Sequence, residues 1–248
     1  MRFLFQISYL GTSYSGWQSQ LNATGVQEVV EKCLGTILRQ KVSITASGRT
    51  DAGVHCAQQF FHVDIEKSFD REKLIVQMNS FLPADIAIHS IAAIKPDVSA
   101  RYDAIERAYE YVITRKKDPL RTGRAFYYFR EVDVKTMNKA ATLLTGTHDF
   151  EAFSKVKTDV NHFICTIKSA EWNQKGDLLV FNIAANRFLR GMVRAIVGTL
   201  LDVGTGKIPL KQFQDILKSK DRKKAGMNVP AEGLYLVKVK YPRSVFIG

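Results

Sequence analysis

Apolar residues in the first 94 positions follow two spacings in alternation, and this alternation restricts the fold more than any other feature of the chain. Every-second-residue spacing predicts strands at residues 2–9, 42–46, 59–65 and 84–94. Helical spacing predicts helices at residues 26–38 and 70–81. Thr24 and Gln27 have the spacing of a capping box at the start of the first helix. The order strand, helix, strand, strand, helix, strand is typical of a ferredoxin-like split βαβ unit.

The second half of the chain repeats this pattern roughly, after a crossing point at residues 96–103. Strands are predicted at residues 108–114, 125–129, 163–172, 178–184 and 234–241, and helices at 134–144, 187–203 and 210–218. We therefore expect an α+β fold with two ferredoxin-like or RRM-like halves, residues 1–103 and 104–248. The halves would form a mostly antiparallel mixed sheet, with helices on one face and a cleft between them.

The charge of the chain favours a polyanionic partner. Its 36 Lys and Arg residues outnumber 24 Asp and Glu residues, which gives a net charge of +12. Basic residues cluster at 114–124 and at 217–226. The alternative interpretation of these clusters is a basic surface that only aids solubility. On charge alone, nucleic acid is the partner we favour.

Several classes of protein and site are excluded by pattern. No run approaches the roughly 20 apolar residues that a membrane helix needs, and the first ten residues alternate instead of forming a signal peptide. The three cysteines contain no CxxC pair and the five histidines no HxxxH pair. We expect a cytoplasmic protein without a membrane contact and without a metal site.

The stretch SGRTDAGVHCAQQF, residues 47–60, raises the question of chemistry. Gly48 and Gly53 bracket a sharp turn, in which Thr50 and Asp51 can bond nearby backbone groups. On this first interpretation, Asp51 is an ordinary turn residue. The adjacent Arg49, however, favours the ionised carboxylate, which is the form that a nucleophile or general base requires. Both interpretations stay open on these residues alone.

Two further sets of side chains have a structural and a functional interpretation. On a helix over residues 187–203, Arg187, Arg190 and Arg194 would form one stripe beside an apolar face. This stripe is either a solvated polar surface or a site for a carboxylate or phosphate. Tyr109 shares a strand face with Tyr111, and it serves either cross-strand packing or stacking against a base.

These motifs together resemble one family. The motif GRTDAGVH at residues 48–55 closely resembles the signature of the tRNA pseudouridine synthase A (TruA) family. Similar family segments follow in order over nearly the whole chain: YLGTSYSGWQ at 9–18, GVQE at 25–28, SARY at 99–102, RAYEY at 107–111, HDFEAF at 148–153, NRFLRGMVRAIVG at 186–198 and AEGLYL at 231–236. Cys56, Leu10 and the missing arginine before Thr166 depart from the family pattern.

The resemblance implies a reaction and its partners. The enzyme would isomerise uridine to pseudouridine at positions 38, 39 and 40 of the tRNA anticodon arm. It would break the bond from ribose C1′ to uracil N1 and join C5 to C1′, without a cofactor. The family forms homodimers, and its basic cleft binds the anticodon stem-loop.

The resemblance also assigns roles to residues by position. Asp51 matches the catalytic aspartate, which attacks either uracil C6 or ribose C1′. Tyr109 matches the tyrosine that stacks on the target base, and Arg194 matches the basic residue that pairs with the aspartate. Arg49 matches the arginine that occupies the space of the flipped-out base. Further substrate contacts are expected from Arg101, Arg187, Arg190, Lys223 and Lys224.

Two other classes of function are compatible with parts of the pattern. A noncatalytic RNA-binding protein with two RRM-like halves fits the predicted fold. No segment, however, carries the aromatic-rich RNP1 pattern on a strand. An aspartate-based hydrolase is weaker still, because no second acid–base residue is placed by spacing.

Overall fold

The structure is a computed structural model that describes residues 1–20, 22–156 and 160–247. The described strands are β1 Arg2–Tyr9, β2 Thr45–Ala46, β3 His55–Asp64, β4 Ile86–Ile94, β5 Glu106–Thr114, β6 Phe126–Tyr127, β7 Gly146–Asp149, β8 Ile164–Lys175, β9 Leu178–Ala185 and β10 Leu234–Lys240. The described α-helices are α1 Val26–Leu38, α2 Arg71–Phe81, α3 Val134–Thr142, α4 Met192–Gly204 and α5 Leu210–Ser219. The predicted α+β class is confirmed.

The chain divides into two compact units. Unit 1 comprises Met1–Ile105 and Leu236–Gly248, and unit 2 comprises Glu106–Tyr235. The C-terminal segment thus returns to unit 1 after the chain has built unit 2.

The sheet of unit 1 has the strand order β4-β1-β3-β10, with β2 paired to β3. Strand β1 lies between two antiparallel neighbours, and Phe5 is opposite Phe61 on β3 and Ile91 on β4. The rings of Phe5 and Phe61 stack at 5.0 Å between centroids. On the other face, Leu4 packs in a cluster that includes Val98 and Val245. Apolar side chains therefore pack on both faces of β1, and its five apolar or aromatic residues are buried while Arg2, Gln6 and Ser8 are partly exposed.

The sheet of unit 2 has the strand order β5-β9-β8-β7. Its neighbours are antiparallel, except that β6 pairs with β5 in parallel, so the sheet is mostly antiparallel and mixed as predicted. Helix α3 is tied to β8 because the Asn138 amide binds both the N–H and the carbonyl of Trp172, at 2.7 and 3.0 Å. Helix α4 is buried along most of its length.

The prediction that a helix begins at residue 187 is wrong. Helix α4 begins at Met192, because Gly191 has a left-handed φ of 72° that interrupts a regular helix. Arg187 and Arg190 therefore precede the helix, and the predicted stripe of three arginines on one helix does not form. Only Arg194 lies on α4.

The predicted capping box is also wrong. The N-cap of α1 is Gly25, and no side chain caps it. The first amides of the helix instead bond the preceding loop: Val26 N–H donates to the carbonyl of Gly16 at 3.1 Å, and Gln27 N–H donates to that of Trp17 at 2.9 Å. The loop takes the place of a cap, since it supplies the acceptors that the first helical N–H groups require.

Neither a membrane-spanning helix nor a metal-binding cluster is found among the described residues. No helix among them is long and apolar enough to cross a membrane. In the same parts of the chain, no group of three or more His, Cys, Asp or Glu side chains is arranged to hold a metal ion.

Candidate active site

The Asp51 turn connects β2 to β3 in unit 1. Val54 N–H donates to the Asp51 carbonyl at 3.2 Å, and Gly53 between them has a φ of 78°, as the third position of a type II turn requires. Asp51 is half-buried and Arg49 is exposed. Gly48 does not have the positive φ that its position suggested. Of these two glycines, only Gly53 supplies a positive φ to the turn.

The loop that follows β1 holds this turn in place. Gly53 N–H donates to the Tyr14 carbonyl, and Trp17 N–H donates to the Thr50 carbonyl, both at 3.2 Å. Gly16 approaches so closely that an added Cβ would lie 2.4 Å from the carbonyl oxygen of Thr50. The two loops are thus in backbone contact on both sides of Asp51.

Two of the residues that depart from the family pattern, Leu10 and Cys56, are accommodated in unit 1. Leu10 orders the loop through its backbone, because its N–H donates to the Asp85 carbonyl at 2.9 Å. The Asp85 carboxylate accepts a 2.6 Å bond from the Tyr14 hydroxyl. Cys56 is buried, its thiol lies 3.9 Å from the carbonyl of Ile7, and burial raises its pKa well above the ordinary value.

Arg101 lies in a turn of unit 1. Ser99 N–H donates to the Asp103 carboxylate at 2.8 Å, and Asp103 N–H returns a bond to the Ser99 carbonyl. Arg101 is exposed, and its guanidinium lies 5.3 Å from the centre of the Tyr102 ring. With 78% of Tyr102 exposed, this cation and ring form a polar and aromatic surface feature.

The two tyrosines of β5 in unit 2 have different surroundings. Tyr111 is fully buried, and its hydroxyl donates to the Pro230 carbonyl at 2.8 Å. Tyr109 is half-buried and meets the Phe188 ring edge-on at 5.0 Å. The packing interpretation therefore accounts fully for Tyr111, whereas part of Tyr109 remains accessible for stacking.

Arg194 is the third residue of α4 and is partly buried. Its Nε donates to the Val229 carbonyl at 2.7 Å. Its positive charge acts on Tyr111: burial raises the pKa of that phenol, and Arg194 opposes the rise. Arg194 and Tyr111 are thus brought together by the segment at Val229 and Pro230.

The segment before α4 carries the other two arginines. Asn186 Oδ1 accepts from the N–H groups of Arg187 and Thr166, at 2.8 and 2.9 Å. The Arg187 guanidinium lies 3.2 Å from Nε2 of His162, and Arg190 is exposed. Both arginines face outward on an irregular, hydrogen-bonded segment.

Comparison with known proteins identifies the family. A family model described as tRNA pseudouridine synthase matches residues 6–103 and 140–242. The tRNA pseudouridine synthase A of Porphyromonas gingivalis is 46% identical over 251 residues, which cover 99% of each chain. That of Bacteroides fragilis is 43% identical over 99% of this chain and 98% of its own. The chain belongs to the tRNA pseudouridine synthase family.

This family is one of isomerases, so the chain is an enzyme of that class and not a noncatalytic RNA-binding protein. The pseudouridine synthase model covers Asp51 in its first matched segment and Arg194 in its second. Tyr109 lies between the two segments, although the P. gingivalis synthase aligns through this region.

Lys223 and Lys224 lie on an exposed loop of this synthase, against α4. The loop is held by Gly226, whose N–H donates to Thr199 Oγ1 at 2.9 Å. The Arg222 guanidinium bonds the Gly226 carbonyl at 3.0 Å, and burial lowers its pKa. Within the predicted basic cluster, Arg222 thus supports the loop while the two lysines face solvent.

Sequence reasoning missed the residues that support the Asp51 turn. His55 is fully buried and its Nδ1 accepts the Gly11 N–H at 3.0 Å, so Nε2 carries the proton of the neutral ring. An added Cβ on Gly11 would lie 2.0 Å from the Val54 carbonyl oxygen. Both residues lie inside the family motifs, but nothing in their spacing indicated that they touch.

Proposed function

We propose that this chain isomerises uridine to pseudouridine at positions 38, 39 and 40 of the tRNA anticodon arm, with Asp51 as the nucleophile. The observation that supports the proposal most directly is the geometry of the Asp51 turn. Backbone hydrogen bonds hold the turn on both sides of Asp51, while Asp51 itself is only half-buried. A nucleophile needs this combination of a set position and access to substrate. The net charge of +12 suits an RNA substrate.

The reaction rearranges one nucleotide without a net gain or loss of atoms. Asp51 attacks either ribose C1′, which releases uracil from N1, or uracil C6, which loosens the same glycosidic bond. The base turns, C5 bonds to C1′, and the bond to Asp51 breaks, which regenerates the free carboxylate. The proton lost from C5 is balanced by a proton taken up at N1. Electrons are conserved throughout, so the scheme needs no oxidant or reductant.

Other side chains assist this step in the proposal. Tyr109 stacks on the target base and takes part in removing the proton from C5. Arg194 pairs with Asp51, and Arg49 fills the space that the flipped-out base leaves. Extruding a base costs a few kcal/mol in lost stacking and pairing, so a substitute for the lost stack lowers the cost.

The remaining basic residues would bind the tRNA backbone. Arg101, Arg190, Lys223 and Lys224 are exposed and Arg187 is partly exposed, as phosphate contacts require. We further propose that the enzyme is a homodimer and acts in the cytoplasm. The names of the full-length relatives, all tRNA pseudouridine synthase A, support tRNA as the substrate.

One substitution tests the function. Asp51→Asn preserves the shape of the side chain and removes its charge, so tritium release from C5-labelled tRNA should stop while tRNA binding persists. Asp97→Asn, at an exposed aspartate of unit 1, is the matched control and should retain full activity. Mapping of pseudouridine on the product tests the three positions. Substantial turnover by Asp51→Asn would refute the assignment.

A further inference from the structure

Two buried polar side chains beside the Asp51 turn have no part in the chemistry above. Tyr9 ends β1 and exposes 4% of its surface, and Gln59 on β3 exposes none. Burying a phenol and an amide is unfavourable unless their polar groups are bonded. Both side chains direct those groups at the segment that precedes Asp51.

The hydrogen bonds of this pair form one directed chain. Gln59 Nε2 donates to the Gly48 carbonyl at 2.7 Å, and because a carbonyl can only accept, the amide orientation is determined. Gln59 Oε1 is then the acceptor for the Tyr9 hydroxyl, at 2.9 Å. Since the Tyr9 proton is used there, the Thr50 hydroxyl, 2.8 Å away, donates to the Tyr9 oxygen. Hydrogen bonds thus run from Thr50 to Tyr9, from Tyr9 to Gln59, and from Gln59 to Gly48.

This chain acts on the residue just before Asp51. Thr50 exposes 8% of its surface, and its carbonyl also accepts the Trp17 N–H. Its side chain and its backbone are therefore both restrained. On the far side of Asp51, Gly53 N–H is bonded to the Tyr14 carbonyl. With both flanks held, the Cα of Asp51 has little freedom to move.

We propose that Tyr9 and Gln59 are positioning residues for Asp51, which act through Thr50 and Gly48. This inference rests on the proposed role of Asp51 as the nucleophile. The pair does not touch the substrate. It keeps the carboxylate at its reacting distance, where a displacement of about 1 Å lowers the rate by roughly 100-fold.

Removal of single hydroxyl groups tests the proposal. Tyr9→Phe and Thr50→Val should each lower kcat by about 10- to 100-fold with an unchanged tRNA Kd. The double variant should be no slower than the slower single variant, because both changes break one chain. Thr50→Ser should restore kcat. Asn79→Leu removes two bonds to the Ile88 backbone elsewhere in unit 1 and should leave kcat unchanged.

Hydrogen exchange provides a readout that does not depend on turnover. In Tyr9→Phe, the amides of Gly53 and Val54 should exchange faster than in the wild type, while the amides of β4 should not change. Absence of pseudouridine in the wild-type reaction would refute the proposed function, and exchange would still test the positioning. Unchanged kcat and unchanged exchange in Tyr9→Phe would overturn the inference. An equal loss of kcat in Asn79→Leu would also overturn it, since lost stability would then explain both.

Discussion

Arg194 and Val229 are hydrogen-bonded in both directions. Arg194 Nε donates to the Val229 carbonyl at 2.7 Å, and Val229 N–H donates to the Arg194 carbonyl at 3.3 Å. The first bond sets the rotation of the guanidinium group and the second holds the backbone beneath it. The arginine that the family resemblance pairs with the proposed nucleophile is therefore oriented by unit 2 itself.

Substitution of Arg194 should affect activity more than stability. Arg194→Ala removes one charge-assisted hydrogen bond, which lowers the free energy of unfolding by about 1.5–3 kcal/mol, but it also removes the proposed partner of Asp51. Arg194→Lys retains the charge without the planar group that binds Val229, so it should regain only part of the rate. Tritium release and urea unfolding measure the two effects. If Arg194→Ala instead mainly unfolds the protein, the role of the arginine is structural.

Two glycines near Asp51 should respond oppositely to alanine. At Gly11, a Cβ would lie 2.0 Å from the Val54 carbonyl oxygen, so Gly11→Ala must displace the turn and should lower both stability and kcat. Gly48→Ala is the control, because a Cβ there meets no atom within 4 Å and the φ is not positive. Its free energy of unfolding should stay equal or rise slightly. Urea unfolding and single-turnover rates of both variants check the prediction, and equal behaviour would contradict it.

We expect Lys223 and Lys224 to contribute to the salt dependence of tRNA binding. They lie on the exposed loop against α4, which is called the α4 loop below. Replacing Lys223 and Lys224 by glutamine should weaken binding and reduce the slope of log K against log salt by about 1.5, since each phosphate contact contributes roughly 0.7–0.9. Titration of labelled tRNA at several salt concentrations measures this slope. The matched control replaces Lys135 and Lys175, which are exposed elsewhere in unit 2. An equal slope in both double variants would show that the α4 loop does not contact the tRNA.

The free energy of unfolding should fall as the pH is lowered below 6.5, because the folded chain keeps His62 neutral. Burial, aided by the charge of Arg2, lowers the pKa of His62 below its ordinary value of 6.5, while Asp64 opposes the shift. Its Nδ1 accepts the Ala100 N–H at 3.0 Å, which requires the neutral ring. Between pH 6.5 and the lower folded pKa of His62, the unfolded chain therefore binds a proton that the folded chain does not.

The contribution of His62 is complete above pH 6.5 and is lost as the pH falls through the folded pKa. Urea unfolding on either side of pH 6.5 measures it. In His62→Gln this part of the pH dependence should disappear. A slope that persists unchanged in the variant would assign it to another group.

Predictions from periodicity succeeded where one local pattern decides the element. β1 at Arg2–Tyr9 and α1 at Val26–Leu38 have the predicted bounds, because their apolar spacing is regular along the whole element. Prediction failed at residues 187–191, where helical spacing continues but Gly191 adopts a left-handed φ. It also missed β7 at Gly146–Asp149, whose four residues carry no alternating apolar pattern and pair with β8 only through tertiary contact.

The candidate site divides in the same way. Asp51, Tyr109 and Arg194 could be named from motifs, because short motifs record which residue types stand next to one another. The supports of the Asp51 turn could not be named, since Tyr9 and Gln59 are 50 positions apart and meet only across paired strands.

The amino-acid sequence by itself determined the family, the α+β class and the position of the carboxylate proposed for catalysis, since these are written in local patterns and in motif order. Only the tertiary structure decided that residues 236–248 return to unit 1 and that α4 begins after Arg187 and Arg190. It also decided that a loop of glycines and aromatic residues holds the Asp51 turn. The physical reason is that close backbone approach and buried hydrogen bonds depend on distances between segments, which no local pattern of residues encodes.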